Sequence, residues 1–234
     1  SNYFYHCRFG ITLKKVSEIF AATTKELAQA LQRLIVFYPR DMVKKTLPKA
    51  YQKMENIRCI IDCSEIFIQR PNDLQFQSAT WSDYKHHNTV KFLIGITPQG
   101  SICFLSKLWG GRATDKCIVV RSGFLDYIDK GDLIMADRGF QLHEEFLVKE
   151  ATLVVPPGKR GSNQMTKEKL KVTKVVANSR IHVERVIRRL KCFRFLSRSV
   201  AITNLVHLDS ILIICSAIVN LQGPIVKSWV ETAL

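Results

Sequence analysis

The order of the apolar segments constrains the fold more strongly than any other feature of this sequence. Three short segments rich in β-branched and apolar residues, at 58–71, 88–97 and 101–109, predict three successive strands. The turn sequence "TPQG" between the second and third predicts a hairpin. Further along, the pattern predicts a helix at 114–128, a strand at 131–140, a helix at 143–150, a strand at 151–157 and a helix containing Glu184. This order predicts a mixed α/β sheet with helices on its faces.

The ends of the chain have a different pattern. Residues 11–40 show helical spacing of apolar side chains, as one helix or as two that break near Thr23, and Pro39 is expected to end it. The sequence "RFGITLKKVSEIF" is compatible with a helix-turn-helix fragment or with a simple packed helical pair. We therefore predict a helical segment and linker at 1–56, the α/β domain at 57–222 and a tail at 223–234. The apolar run 211–221 is too short to cross a bilayer and predicts a buried helix, without membrane association.

The charge of the chain is unevenly distributed. Lys and Arg number 35 against 20 Asp and Glu, which gives a formal charge of +15. Residues 156–198 contain thirteen Lys or Arg and two acids, so most of the surplus lies in this one segment. A local surplus of this size predicts a polyanionic partner such as nucleic acid. The seven cysteines have no regular spacing, which argues against a zinc knuckle or a disulfide framework.

Three acids stand out by their positions. Asp62 lies inside an apolar strand, Asp137 lies at the end of another, and Glu184 lies one step from the apolar face of a basic helix. Charged side chains are rarely buried unless they are paired or bind a metal ion. If the strands and the helix bring the three carboxylates together, divalent cations must neutralise them, and oxygen ligands select Mg²⁺ or Mn²⁺.

Each acid also has a simpler interpretation. Asp62 could accept hydrogen bonds from a neighbouring loop, and Asp137 could serve the turn that "DRG" predicts. Glu184 could pair with Arg180 and Arg188, four residues away on either side. The combination of the three with the basic segment favours a metal site that acts on a phosphate backbone.

Several other residues are candidates for contacts with DNA. Lys85 and His86 could contact phosphate or could be exposed surface residues, while His86 and His87, being adjacent, form a poor chelating pair. The basic loop at 156–171 favours DNA tracking over a merely solvated face. Trp81 and Trp109 could equally pack in the core or stack on bases.

Five segments together resemble a known family. They are "IIDCSEIFIQRP", "WSDYKHHNTVKFLIGITPQGSI", "GGRATDK", "GDLIMADRGF" and "RIHVERVIRRLKCFR". In this order they resemble the blocks of DDE transposases of the PIF/Harbinger type, in the DDE superfamily endonuclease branch. The resemblance runs from about residue 8 to about residue 222.

The resemblance implies a ribonuclease-H-like core and a metal-dependent nuclease that cuts and joins DNA with two Mg²⁺ or Mn²⁺ ions. Its three acids fall on Asp62, Asp137 and Glu184, as catalytic residues and metal ligands, and its "G-x-x-x-D" block falls on Gly111 to Asp115. Asp115 could line the site or could simply be the acid that favours a helix N-terminus, which is the preferred interpretation, and it is not counted as a metal ligand.

The partners and location follow from the same resemblance. It implies a nuclear protein that acts on transposon ends or target DNA, with a Myb-like partner protein and as a homo-oligomer when active. The residues expected to contact DNA are Lys85, His86, Arg138, Lys159, Arg160, Arg180, Arg185, Arg188 and Lys191.

Two rival functions are compatible with this sequence. One is a domesticated, non-catalytic module, derived from a transposase, that binds DNA or protein. The other is a host repair or RNA-processing nuclease on the same core, which would share the metal site but not the five segments. The presence of all three acids favours the transposase or endonuclease.

Overall fold

The sheet is built around one long central strand, in a computed structural model that describes residues 7–52, 54, 56–137, 139–156 and 181–223. The strands in chain order are β1 (Ile57–Phe67), β2 (Trp81–Ser82), β3 (His87–Ile96), β4 (Ile102–Leu105), β5 (Trp109–Gly110), β6 (Leu133–Ala136) and β7 (Thr152–Val154). These positions confirm the strands that the apolar segments predicted, including the hairpin between β3 and β4, where Gly100 has a φ of 97°.

The strand order is that of a mixed sheet. It runs β2-β3-β1-β6-β7, with β4 and β5 also paired to β3. The pairs of β1 with β3 and of β3 with β4 are antiparallel, whereas β1 with β6 and β6 with β7 are parallel. A mixed sheet of this order, flanked by helices, is the ribonuclease-H-like arrangement that we expected.

The helices lie before, between and after these strands. They are α1 (Leu13–Leu31), α2 (Arg40–Lys45), α3 (Leu74–Thr80), α4 (Asp115–Arg121), α5 (His143–Val148), α6 (181–190), α7 (Arg194–Ser197) and α8 (Leu205–Leu221). Thr114 caps the N-terminus of α4, since its Oγ1 accepts a hydrogen bond from Cys117 N at 3.2 Å.

The two faces of the sheet bury separate cores because side chains alternate along each strand. On one face, Ile60 and Ile66 of β1 pack with Val183, Val186 and Leu190 of α6 and with α8. On the other face the core combines Ile61, Leu93, Ile134, Ile118 and Val119, so that α4 covers this side. The apolar face predicted for α6 is therefore confirmed, and it orients that helix against the first face.

The C-terminal apolar helix is longer than the sequence suggested. α8 begins at Leu205, so His207 and Asp209 lie inside it rather than before it. Residues Ile202–Leu221 are long and apolar enough by composition to cross a membrane, which makes the argument from length wrong. The burial was predicted correctly, because Leu208, Leu212 and Ala217 are core residues and α1 packs against the helix.

The N-terminal part also departs from expectation. α1 is one continuous helix through Thr23 and ends at Leu31, eight residues before the predicted stop at Pro39. The stretch predicted as a linker contains α2 and a 3₁₀ turn at Lys49–Tyr51, and α3 was not predicted at all. The division of the chain at residue 57 stays a prediction. The basic loop at 156–171 lies outside the described residues beyond residue 156.

Candidate active site

The register of β1 and β6 brings two of the three predicted acids side by side. The last pair of the parallel ladder joins Ile61 to Ala136. Asp62 directly follows Ile61, and Asp137 directly follows Ala136. Because neighbouring strands lie about 4.8 Å apart, the two acids lie side by side. β6 ends there because Asp137 starts a turn, in which its carbonyl oxygen accepts a hydrogen bond from Phe140 N at 3.1 Å.

The same alternation places both acids toward the helix that carries the third. Ile60 of β1 and Met135 of β6 belong to the core under α6, and Asp62 and Asp137 follow each of them by two positions. Side chains two positions apart on a strand share a face. Glu184 is exposed, next to the buried Val183, so it lies at the margin of that core.

A cavity of about 700 Å³ lies where β1 extends beyond the end of β6. β1 continues to Phe67, six residues past its last pair with β6, so the cavity reaches this edge of the strand. The backbone N–H of Cys63, just past that pair, donates to Asp62 Oδ1 at 2.8 Å. The lining includes both signs of charge: Asp62, Glu65, Asp115, Asp137 and Glu184, with Lys85, Lys91, Arg188 and Lys191.

The donor chemistry of this cavity suits a hard divalent cation. Asp62, Asp137 and Glu184 offer only carboxylate oxygens, which are the ligands that Mg²⁺ and Mn²⁺ prefer. Within the described ranges, however, no three His, Cys, Asp or Glu side chains are grouped closely enough to hold a metal ion. The structure therefore places the three acids on one cavity, and their roles as ligands stay a prediction.

Basic side chains line the same cavity on the side of α6 and of the β2–β3 turn. Lys191 follows α6, and burial, together with the nearby charge of Lys85, lowers its pKa; Glu65 and Asp62 act in the opposite direction. Lys85 Nζ lies 4.4 Å from the centre of the Tyr84 ring. A phosphodiester entering the cavity would meet these cations beside the acids.

A second charged cluster lies on the opposite face of β1. Lys91 pairs with Glu65 across the β1–β3 ladder. Its Nζ lies 3.8 Å from Glu65 Oε1 and 3.3 Å from Asp115 Oδ1, and it donates to Ala113 O at 3.0 Å. Thr89 Oγ1 donates to Glu65 Oε2 at 2.7 Å. Lys91 is 14% exposed, and its ion pair with Asp115 holds that carboxylate at the wall of the cavity.

Two glycines hold the segment that leads to Asp115 close to the sheet. A Cβ on Gly110 would collide with the carbonyl oxygen of Ala79, and one on Gly111 would collide with Thr89 Oγ1. Since only glycine permits this approach, the segment "GGRATD" is held against β3 and α3, and Gly111 N donates to Thr89 O at 2.9 Å.

The residues predicted to contact DNA fall into three groups. Lys85, Arg188 and Lys191 line the cavity. His86, in the β2–β3 turn with a φ of 51°, and Arg185 on α6 are exposed but are not among the residues lining the cavity. Arg138, Lys159, Arg160 and Arg180 lie outside the described residues.

The two tryptophans left open by the sequence have different surroundings. Trp109 packs against the core under α4. Trp81 is 39% exposed and lines a second cavity.

Sequence reasoning missed Glu65, Lys91 and Tyr84 as lining residues. Lys91 carried a usable signal, since it is a charge within the apolar run "VKFLIGI", the same anomaly that singled out Asp62.

Comparison with known proteins agrees with this fold and cavity. A family model described as DDE superfamily endonuclease matches residues 61–220, about two thirds of the chain. The protein therefore belongs to the DDE superfamily endonuclease family, whose members act on DNA and generally use divalent metal ions. No curated protein and no solved structure matches the chain.

Proposed function

We propose that this protein is a DDE transposase or endonuclease that cuts and joins DNA strands, with Asp62, Asp137 and Glu184 as its metal ligands. The observation that carries the proposal is the register of β1 and β6, which sets Asp62 beside Asp137 on the face covered by the helix of Glu184. All three line one cavity together with Lys85, Arg188 and Lys191.

Each group of side chains has a distinct role in this proposal. The three carboxylates would hold two Mg²⁺ or Mn²⁺ ions, and Lys85, Arg188 and Lys191 would hold the phosphates on either side of the scissile bond. Bound divalent ions would activate water or a 3′-hydroxyl and stabilise the leaving oxygen. Lys91 positions Asp115 at the cavity wall through the ion pair of 3.3 Å. Nuclear location, a PIF/Harbinger subtype, a Myb-like partner and a homo-oligomeric active form belong to the same proposal.

Nicking of supercoiled plasmid tests the proposal directly. We expect Mg²⁺-dependent nicking by the wild-type chain and none by Asp62→Asn or Glu184→Gln, both of which preserve side-chain size. Asp126→Asn is the matched control, since Asp126 is 82% exposed and lies outside the cavity lining.

Two results would contradict the proposal. Nicking that persists in Asp62→Asn and Glu184→Gln would show that these acids are not catalytic. Salt-sensitive DNA binding by a folded wild-type chain that never nicks DNA would instead favour the non-catalytic module.

A further inference from the structure

A second cavity, of about 410 Å³, lies beside the acid-lined one. It is lined by Arg70, Leu74, Gln77, Ser78, Trp81, Asp83 and Arg112. Asp83 belongs to this cavity, and the next two residues, Tyr84 and Lys85, line the acid-lined cavity. Likewise, Arg112 lines the second cavity, and Asp115, three residues later, lines the acid-lined cavity. The segments 83–85 and 112–115 therefore each contribute to both cavities, which makes the two cavities neighbours.

One side of this second cavity is an apolar and aromatic helix face. Leu74, Gln77, Ser78 and Trp81 are spaced as neighbours on one side of α3 and its C-terminal end. Leu74 is 77% exposed and Trp81 is 39% exposed, which leaves apolar surface open to a ligand. A flat aromatic base fits such a surface by stacking.

Two arginines flank this apolar surface. Arg112 Nη1 donates to Ser78 Oγ at 2.9 Å. Arg70 Nη2 and Nε lie 3.0 and 2.9 Å from the side-chain amide of Gln77, whose oxygen accepts from both in the orientation that satisfies the two groups. Because these partners are neutral, both guanidinium charges remain available to a phosphate.

The wall that carries Trp81 is held in place before any ligand arrives. Buried Asn88 donates through Nδ2 to Gln77 O at 2.8 Å and to Thr80 Oγ1 at 3.0 Å, which ties β3 to the end of α3. Trp81 itself pairs with Asn88 in the β2–β3 ladder. Because the backbone that carries Trp81 is held in this way, stacking of a base on its ring costs less conformational entropy.

We propose that this second cavity binds an unpaired nucleotide of the DNA strand next to the scissile phosphate. The base stacks on Trp81 against Leu74, and Arg70 and Arg112 hold its flanking phosphates. Asp83 would repel a phosphate but can accept from the exocyclic amino group of a base, which favours a base over a phosphate at that wall. This inference rests on the proposed function only in identifying the bound nucleotide as part of the DNA strand that is cut.

Fluorescence anisotropy in EDTA tests the site without any catalysis. The probes are a blunt DNA duplex, the same duplex with a short single-stranded tail, and a third duplex whose tail is abasic and so keeps its phosphates. We expect the wild-type chain to bind the normal tail about tenfold more tightly than the abasic tail, from the stacking of one base.

Variants then show which residues produce the preference for the normal tail. Trp81→Ala should lose the tenfold preference and keep its affinity for the blunt duplex, while Trp81→Phe should retain most of the preference. Tyr38→Ala is the matched control, because Tyr38 is also 39% exposed and lies outside both cavity linings. Arg112→Ala should weaken binding of both tails, whereas Arg121→Ala, an exposed arginine outside the cavities, should not.

The outcomes separate this proposal from the proposed function. A preference for the normal tail that survives Trp81→Ala, or equal binding of normal and abasic tails by the wild-type chain, overturns the nucleotide site whether or not the chain nicks DNA. Loss of the preference in Trp81→Ala supports the site even if plasmid nicking fails. A folded chain that binds none of the three probes overturns both proposals.

Discussion

The two ends of the β1–β6 pair carry acids of the same type in opposite surroundings. Just before β6, Asp132 is fully buried, and Arg40 Nη2 lies 2.8 Å and Arg58 Nη1 3.4 Å from its carboxylate. Its Oδ2 also accepts from the backbone N–H of Asp129 at 2.9 Å. Just after β6, Asp137 lines the acid-lined cavity beside Asp62.

This contrast separates an acid whose ion pairs lie inside the fold from acids that line a cavity. Around Asp132 the compensating charges are built into the protein and leave no room for a ligand, since Arg58 is itself only 6% exposed. Around Asp137 the cavity of about 700 Å³ leaves acids and bases together in reach of a ligand. Substitutions at the first end should therefore change stability, and those at the second should change activity.

The largest expected effect is on catalysis. Asp137→Asn should lower the plasmid nicking rate by roughly 10³-fold, because removing a ligand forfeits several kcal/mol of transition-state stabilisation. The free energy of unfolding, measured with urea, should change by less than about 1 kcal/mol, since the side chain lies at an open cavity. A large loss of stability in this variant would show that Asp137, like Asp132, is needed for the fold, and would contradict the contrast between them.

The matching substitution at the other end should act on stability alone. Asp132→Ala removes the fully buried partner of Arg58 and leaves Arg58 paired with the 71% exposed Asp129, so it should lower the free energy of unfolding by about 3 to 5 kcal/mol. Urea denaturation measures this loss, and Asp126→Ala, at an 82% exposed acid, is the control. A variant as stable as the wild-type chain would show that the Arg40–Arg58–Asp132 cluster has no structural role.

An intermediate effect is expected at Lys91, where a substitution should change both the stability of the fold and the rate of nicking. Lys91→Met should lower the free energy of unfolding by about 2 kcal/mol, because Glu65 loses its buried partner at the sheet. It should also slow nicking by about tenfold as Asp115 leaves the cavity wall. Lys107→Met, at an exposed lysine, should change neither quantity. Unchanged nicking would confine Lys91 to a structural role.

The smallest effect is expected at the rim of the cavity. Arg188→Ala should reduce the slope of log affinity against log salt by about one, since one phosphate contact is lost. Fluorescence anisotropy over a range of salt concentrations measures the slope. An equal reduction in Arg121→Ala would mean that the effect follows net charge rather than the cavity.

The sequence predicted the sheet and the three acids for a shared physical reason. Alternating or continuous apolar runs reveal strands, and an acid within such a run, as at Asp62, stands out because burial of a charge is unfavourable. The residue pattern also selected Asp137 and Glu184, and the resemblance to DDE transposases assigned its three acids to the same positions. The register Ile61–Ala136 that sets the acids side by side is visible only in the fold.

What the sequence did not predict depends on contacts between distant segments. The Glu65–Lys91–Asp115 cluster joins β1, β3 and α4, and the exposed ring of Trp81 acquires its role from α3, a helix of seven residues with few apolar side chains. Short helices such as α2 and α3 show little apolar periodicity, so tertiary packing determines whether these segments are helical. α1 continues through Thr23 because its buried face, with Val16, Thr24 and Ala28, packs against α8.

Binding of Mn²⁺ to the full chain, measured by electron paramagnetic resonance, tests the central claim most directly, since it needs no DNA and no turnover. The account predicts bound Mn²⁺ in the wild-type chain and in Asp126→Asn, and loss of that binding in Asp62→Asn and in Glu184→Gln. Equal binding of Mn²⁺ by all four proteins, or none by the folded wild-type chain, would contradict the claim that these acids form a metal site.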